Sequence, residues 1–300
     1  MPVPAQRVPV SRRSLFHACQ FAGLDTLGAV HLRSQSNETW LLPGPRVVVR
    51  MSLRADIAAD APRMMALVQW LVRNDLPVAP PWPPCPGPIA LPGARVATFW
   101  KALEVPERRD YAALGHLLRQ LHAAPLPADP ALPTLDPVAL ASRILAEDVD
   151  RWGMRRSYAK QRIAELADAV RDQAWPLAAG LLHGDAHIGN VLLDEGRPVL
   201  SDWDSMMVGN PGWDLVPTAV EPQRWRRSAA QYATFAAAYG HDVTTWDGYH
   251  HLRELAEWFL LAERIKVTAA VPRAGRNLRR QLATMRAGGE HLPWYDAPPG

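Results

Sequence analysis

Residues 181–193 read Leu-Leu-His-Gly-Asp-Ala-His-Ile-Gly-Asn-Val-Leu-Leu, a polar loop between two short apolar runs. The apolar runs are typical of buried strands, which would hold the loop in place and leave its polar side chains to act. Asp185 supplies a carboxylate, and Asn190 supplies a side-chain oxygen. Phosphoryl transfer needs both types, because a carboxylate orients or deprotonates the acceptor hydroxyl while oxygen ligands hold Mg²⁺ against the phosphates.

A second carboxylate follows this loop. The turn at residues 194–196, Asp-Glu-Gly, and the run Val199-Leu200-Ser201 predict a hairpin whose second strand ends at Asp202. A hairpin that folds back in this way brings Asp202 close to Asn190 and Asp185. The sequence therefore predicts Asp185 as the catalytic residue and Asn190 with Asp202 as ligands of Mg²⁺.

The pattern of apolar residues changes along the chain near Trp100. Before it, one helix is predicted over about 57–72, and strands are predicted over 29–33, 39–42, 47–49 and, as a hairpin, 89–100. Beyond it, helices are predicted over about 111–122, 137–151, 159–172, 223–239, 249–270 and 275–287, with short strands over 180–183, 191–193 and 199–202. We expect an α+β fold with a small β-rich N-terminal lobe, residues 1–102, and a larger, mainly helical C-terminal lobe, residues 103–300.

The composition is that of a globular protein, with 33 Lys and Arg against 30 Asp and Glu and a net charge of +3. The arginines are scattered, whereas a nucleic-acid-binding protein usually concentrates its cations on one face, so we expect no nucleic-acid partner. No apolar run reaches the length of a membrane span, and no secretion signal follows Arg12 and Arg13, so we expect no membrane partner. Cys19 and Cys85 could form one disulfide with each other, but two cysteines are too few for a disulfide framework. This low cysteine content favours the reducing cytoplasm.

The segment from His183 to Asn190 resembles the catalytic loop of the aminoglycoside phosphotransferase family, whose relatives include choline and homoserine kinases. The resemblance continues through residues 201–204 and 209–215, which are similar to the metal-aspartate segment of the family and to its downstream G-x-P-x-x-D-L pattern. Weaker matches, at 36–40, 47–50 and 114–122, resemble the nucleotide loop, the basic third strand and the first helix of the large lobe. Together these matches span most of the chain.

The resemblance implies a protein-kinase-like two-lobed fold with a nucleotide, ATP or GTP, in the cleft between the lobes. It also implies a Mg²⁺-dependent kinase that phosphorylates a hydroxyl of a small molecule. Asp185 would be the catalytic base, Asn190 and Asp202 would bind Mg²⁺, and His183 would shape the loop rather than react. Arg50 would then bind nucleotide phosphates, as a lysine does in protein kinases.

Other nucleotide contacts are expected from the same resemblance. The first loop has no Gly-rich phosphate-binding pattern, so Ser36 and Asn37 would cap the phosphates through their side chains and backbone amides. The adenine ring would contact backbone atoms around Trp100 and Lys101.

One position departs from the family. The helix after the third strand would carry a glutamate near Met64 as the partner of Arg50, but the sequence places Met64 and Met65 there. Asp56 or Asp60 in the preceding turn could replace it, or nucleotide and metal alone could hold the cation. The missing glutamate also keeps open a second class of protein, a nucleotide-binding regulator without turnover.

A third class is a metallohydrolase in which His183 and His187 bind a metal beside Asp185. A metallohydrolase would leave Asn190 and the family resemblance at residues 201–204 and 209–215 without a role. Asp214 precedes an apolar segment and is expected to cap a helix or brace the loop, whereas the sequence leaves the role of Asp204 open.

The acceptor cannot be chosen from the sequence. Glu254, Glu257 and Glu263 would attract a cationic acceptor such as an aminoglycoside, but Arg253 and Arg264 nearby favour a salt-paired helix face. The 12 Trp residues favour core packing over an aromatic box for a quaternary ammonium group. Antibiotics, amino sugars and amino alcohols all remain open as acceptors, and so does the oligomeric state.

Overall fold

The computed structural model describes residues 12–34, 37–83, 87–171, 173–268, 274–288 and 293–294. Contacts divide the chain into two compact units. The first, called the sheet unit below, comprises residues 1–107, 127–131 and 190–204. The second, called the helical unit, comprises residues 108–126, 132–189 and 205–300. The lobe boundary expected between residues 102 and 103 stays a prediction.

Before residue 107, the sheet unit contains a five-stranded antiparallel sheet with the strand order β1-β2-β3-β5-β4. The elements in this part of the chain are α1 (Arg12–Phe21), β1 (Val30–Ser34), β2 (Asn37–Leu42), β3 (Val47–Ser52), α2 (Ala55–Arg73), β4 (Ile89–Leu91) and β5 (Arg95–Lys101). Val47 and Val49 of β3 are fully buried, because alternate side chains of a strand share one face. The predicted strands and the helix after the third strand are confirmed.

Helix α1 was not expected from the sequence. Its buried stripe consists of Leu15, Ala18 and Cys19 at the helical spacing i, i+3 and i+4. These three residues join a core that includes Trp40 and Phe99 of the sheet. A stripe of three residues, two of them small, is too short for periodicity to predict a helix with any force.

The remaining elements are helices with short strands between them. They are α3 (Tyr111–Ala123), α4 (Pro137–Ser142), α5 (Arg156–Arg171), β6 (Gly180–Leu182), β7 (Val191–Asp194), β8 (Arg197–Leu200), β9 (Met207–Gly209), α6 (Gly212–Ala219), α7 (Glu221–Arg224), α8 (Ala229–Tyr239), α9 (Tyr249–Thr268) and α10 (Ala274–Arg286). Strand β6 pairs with β9, and β7 pairs with β8, both antiparallel. Sequence reasoning missed β9 and α6.

Two predicted helices are wrong in their length. The helix expected over 137–151 ends at Ser142 and continues only as 3₁₀ turns at Arg143–Ala146 and Asp150–Trp152, because the backbone is extended at Glu147. The helix expected over 223–239 is divided into α7 and α8, because Arg226 adopts a left-handed φ of 52° that no helix can contain.

The core of the helical unit forms around α9. Trp258 and Leu261 are fully buried there and pack with Ile163 of α5 and Leu282 of α10. Trp152 joins the same cluster, so the expectation that the tryptophans serve core packing is confirmed for this group. None of the described helices has the length and hydropathy needed to cross a membrane.

Gly115 permits the close approach of α3 and α8. A Cβ atom at this position would lie 2.5 Å from the carbonyl oxygen of Phe235 and 2.9 Å from the amide nitrogen of Tyr239, both backbone atoms that cannot move aside. We therefore expect Gly115→Ala to lower the free energy of unfolding by about 1–3 kcal/mol, measured by urea denaturation. Gly44→Ala, whose Cβ would meet no atom within 4 Å, is the control. Equal losses in the two variants would contradict this explanation.

Candidate active site

The loop that follows β6 turns sharply at Gly184. Its φ is 83°, and a Cβ atom there would lie 2.0 Å from the carbonyl oxygen of Ser205. Only glycine fits both conditions, since other residues rarely adopt this φ and all of them carry a Cβ. The loop is thus pressed against the residues that follow it in the helical unit. The side chain of Asp185, the next residue, is exposed.

Asp214 braces this loop from inside α6. Its carboxylate is fully buried and accepts hydrogen bonds from the backbone N–H groups of His183, at 2.7 Å, and Gly184, at 2.9 Å. It also lies 3.1 Å from Nε2 of His122, whose Nδ1 lies 2.9 Å from the hydroxyl of Tyr239. Burial alone would raise the pKa of Asp214, but the hydrogen bonds and charge from the two histidines lower it below its usual value. Asp214 therefore remains ionised and holds the loop amides.

The two loop histidines hydrogen-bond within their own loop. The Nδ1 atom of His183, which is fully buried, accepts from the backbone N–H of Asp185 at 3.4 Å. The Nδ1 atom of His187 accepts from the backbone N–H of Gly189 at 3.0 Å. These bonds use the lone pairs that a metal ion would need at those nitrogens. Within the described ranges, no group of three or more His, Cys, Asp or Glu side chains is placed to hold a metal ion.

The predicted hairpin after the loop is present and belongs to the sheet unit. Val191 of β7 pairs with Leu200 of β8, and the turn between the strands is made by residues with positive φ, Glu195 and Gly196. The carbonyl oxygen of Asn190 accepts from both the backbone N–H and the hydroxyl of Ser201, at 2.9 and 3.0 Å. The hairpin therefore brings the backbones of Asn190 and Asp202 to the same end.

Asp202 and Asp204 share one guanidinium group. Nη2 of Arg50 lies 2.7 Å from Oδ1 of Asp202 and 2.7 Å from Oδ2 of Asp204. Asp204 also accepts from the side-chain amide of Asn37 at 2.9 Å, and Asp202 from Arg33 at 3.1 Å. We call these five residues the carboxylate–arginine cluster. All of them lie in the sheet unit.

The partners of Arg50 correct one expectation from the sequence. Asp56 binds Arg54 and Asp60 binds Arg63, so neither replaces the missing glutamate of α2. Burial alone would lower the pKa of Arg50, but the charges of the two aspartates of the carboxylate–arginine cluster raise it above its usual value. The guanidinium is held by the segment after β8 instead of by a helix.

Asp202 has an uncommon backbone conformation. Its φ is 71°, in the left-handed region that few residues other than glycine occupy, although aspartate does so more often than most. Conformations of this kind cost free energy and occur often at functional sites, because surrounding contacts must impose them. Its carboxylate is 24 % exposed and so remains accessible.

The other predicted nucleotide contacts are only partly described. Ser36 lies outside the described residues. The indole of Trp100 donates to the hydroxyl of Thr98, and the ammonium group of Lys101 lies 2.5 Å from Asp194. The backbone N–H of Lys101 donates to the carbonyl oxygen of Pro80 at 3.2 Å, so a nucleotide would have to displace this bond to use that donor. The roles of Trp100 and Lys101 stay predictions.

The glutamates of α9 are salt-paired, as the sequence favoured. Glu254 forms two bonds of 2.8 Å with Arg162, and Glu257 forms bonds of 2.5 and 2.8 Å with Arg224. Both pairs line a cavity of about 340 Å³ within the helical unit. Because each of these carboxylates already has a guanidinium partner, the pairs do not present unbalanced negative charge to a cationic acceptor.

Sequence reasoning missed Arg33, Asp204 and His122 as members of these networks. His122, in the last turn of α3, contacts Asp214. Asp204 follows Asp202 by two positions, but the backbone at Asp202 is left-handed rather than extended, so strand alternation does not explain why both carboxylates reach the same guanidinium. No sequence signal indicates the contact of Arg33, which pairs with a residue 169 positions away.

Comparisons with known proteins agree with the expected family. The model of the phosphotransferase enzyme family matches residues 29–255. No curated protein matches the sequence.

Three solved structures illustrate the likeness of fold. Macrolide 2′-phosphotransferase MphH from Brachybacterium faecium is 20 % identical, with a TM-score of 0.57 over 88 % of this chain and 97 % of that one. Choline kinase LicA from Streptococcus pneumoniae is 14 % identical, with a TM-score of 0.64 over 93 % and 100 %. An APH(2″) protein solved with GDP and kanamycin is 15 % identical, with a TM-score of 0.63 over 92 % and 99 %. These neighbours confirm the predicted kinase-like fold, with its small antiparallel sheet followed by a mainly helical remainder.

Proposed function

Because the chain belongs to the phosphotransferase enzyme family, we propose that it transfers the γ-phosphate of a nucleoside triphosphate to a hydroxyl group of a small molecule. The observation that carries this proposal is the carboxylate–arginine cluster at the end of the β7–β8 hairpin. It combines the carboxylates that Mg²⁺ prefers with guanidinium groups that bind phosphate. The protein would act in the cytoplasm, as its cysteine content predicts.

The residues of the cluster fit a magnesium ion. Asp202 and Asp204 offer hard oxygen donors, and the hairpin holds Asn190 at the same end. Asp202 and Asn190 would bind the ion, which neutralises charge on the phosphates when it is present. Asp204 keeps Arg50 in position, as its bond of 2.7 Å supports.

Asp185 would act on the acceptor. Its side chain is exposed, and its backbone is fixed by Gly184 and by the Asp214 brace. A carboxylate in this position can accept the proton of the attacking hydroxyl or orient that hydroxyl toward the phosphate. His183 would support the loop through its bond to the Asp185 amide and take no part in the chemistry.

The names of the solved neighbours suggest the class of acceptor that we propose. Their names specify a macrolide, choline and kanamycin, all of which carry hydroxyl groups. We propose a hydroxyl-bearing antibiotic, amino sugar or amino alcohol as the acceptor. The salt-paired glutamates of α9 give no separate support to a polycationic acceptor.

The proposal is tested by measuring nucleotide consumption. Purified protein is incubated with Mg²⁺ and either ATP or GTP and with macrolides, aminoglycosides, amino sugars or amino alcohols. We expect one class to stimulate consumption and to gain one phosphoryl group by mass spectrometry, and we expect EDTA to abolish both effects. Calorimetry with non-hydrolysable ATP and GTP analogues is run in parallel, and a protein that binds neither analogue would contradict the proposal.

One observation favours a nucleotide-binding regulator as the second candidate. Arg50 is engaged with Asp202 and Asp204, while buried Met64 takes the place of the glutamate expected on α2. A regulator would bind the analogue with Mg²⁺ yet consume no nucleotide with any acceptor. The same two measurements therefore separate the two candidates.

A further inference from the structure

Arg33 occupies the carboxylate that the proposed function assigns to Mg²⁺. Its Nη2 lies 3.1 Å from Oδ2 of Asp202, while Arg50 lies 2.7 Å from Oδ1. Each oxygen of this carboxylate therefore has a guanidinium group within hydrogen-bond distance. Two positive charges therefore lie against the carboxylate of Asp202.

A magnesium ion at Asp202 would be repelled by both of these positive charges. Mg²⁺ binds carboxylate oxygen at about 2.0–2.1 Å. A dication at that distance from Asp202 would stand only a few ångströms from both guanidinium groups, and like charges so close repel each other strongly. Metal binding therefore favours the departure of at least one arginine.

Arg33 is the arginine that can leave. Its side chain is 50 % exposed, and it projects from β1, all of whose residues are exposed. Arg50 is only 10 % exposed and has a second bond of 2.7 Å to Asp204. A half-exposed guanidinium regains hydration when it leaves a carboxylate, whereas a buried one does not.

The phosphates provide the new partner. Phosphate oxygens bound to the same metal ion as Asp202 would lie within a few ångströms of that carboxylate, which Arg33 reaches at 3.1 Å. Guanidinium binds phosphate oxygens through strong, charge-assisted hydrogen bonds. We propose that Arg33 is a nucleotide-binding residue that pairs with Asp202 and moves to the phosphates when a metal–nucleotide complex binds. This inference rests on the proposed function.

The test compares two ligands whose affinities should change in opposite directions in the variant Arg33→Gln. Mn²⁺ alone, followed by electron paramagnetic resonance, should bind about fivefold more tightly to the variant, because a competing charge is gone. A non-hydrolysable ATP or GTP analogue with Mg²⁺, followed by calorimetry, should bind about tenfold more weakly, because a phosphate contact is lost. Adenosine or guanosine, which lacks phosphates, should bind with unchanged affinity.

Two further variants act as controls. Arg54→Gln removes another exposed arginine–aspartate pair of the sheet unit, that with Asp56, and should change neither affinity. Arg33→Lys keeps the charge without the fork of donors, so its analogue affinity should fall between wild type and Arg33→Gln. Thermal melting curves verify that each variant is folded.

Each other result overturns the inference. If Mn²⁺ and the analogue both bind more weakly, Arg33 only supports Asp202. If the analogue binds Arg33→Gln as tightly as wild type, Arg33 does not contact phosphates, although the proposed function stands. A wild-type protein that binds no analogue would overturn the proposed function together with this inference.

Discussion

The variant Asp185→Asn is expected to lose turnover while it keeps its nucleotide. The amide has almost the shape of the carboxylate but cannot accept a proton, so the acceptor hydroxyl is neither deprotonated nor held in the required orientation. We expect kcat to fall by about 10²–10⁴-fold in the assay that identifies the acceptor. The dissociation constant of a non-hydrolysable analogue should change by less than about threefold, because the proposed metal ligands are untouched.

The stability of this variant should equal that of the wild type. Asp185 is exposed, and substitutions at exposed side chains usually change the free energy of unfolding by less than about 0.5 kcal/mol. Asp168→Asn, which changes an exposed aspartate of α5 that pairs with Arg171, is the matched control and should keep full turnover. Full turnover in Asp185→Asn would sink the proposed mechanism, and loss of analogue binding would show that Asp185 acts on the nucleotide instead.

The candidate site divides into a part that sequence could predict and a part that it could not. Asp185 and Asn190 stand in one short loop, and a turn signal then indicates the hairpin that returns to Asp202. Local sequence patterns are enough to predict that these three residues lie near one another, because only short segments of chain separate them. The partners of Arg50 lie 152 and 154 positions away, and no local pattern encodes a contact of that kind.

The fold shows the same limit. The strands of the sheet unit carry β-branched runs and were predicted nearly to the residue, as Val47-Val48-Val49 in β3 illustrates. The break between α7 and α8 depends on the φ of 52° at Arg226, a conformation that its residue type does not favour. Contacts elsewhere in the fold impose it, so a single-sequence argument extended the helix across it.

The second large effect is expected at Asp214, through the shape of the loop that carries Asp185. Asp214→Ala leaves the buried amides of His183 and Gly184 without their acceptor and leaves His122 without its charged partner. Removing one member of a buried, hydrogen-bonded charge network costs about 3–5 kcal/mol, which we expect as the loss in the free energy of unfolding from urea denaturation. Amide hydrogen exchange at Gly184 should be faster in Asp214→Ala than in the wild type, because the loop loses its brace.

The control is an aspartate that accepts one hydrogen bond at the surface. Asp136 caps α4 by accepting from the backbone N–H of Ala139, and Asp136→Ala should lower the free energy of unfolding by about 1 kcal/mol.

The stability of wild type and that of Asp214→Ala should also differ in their response to pH. The pKa of Asp214 is lowered in the folded state from its usual value of 3.8, so its stabilisation is complete above that value and is lost as pH falls through the folded pKa. The difference in the free energy of unfolding between wild type and Asp214→Ala should therefore stay constant above about pH 5 and narrow only at stronger acidity. A difference that already narrows between pH 7 and 5 would contradict the assignment of the brace to the Asp214 carboxylate.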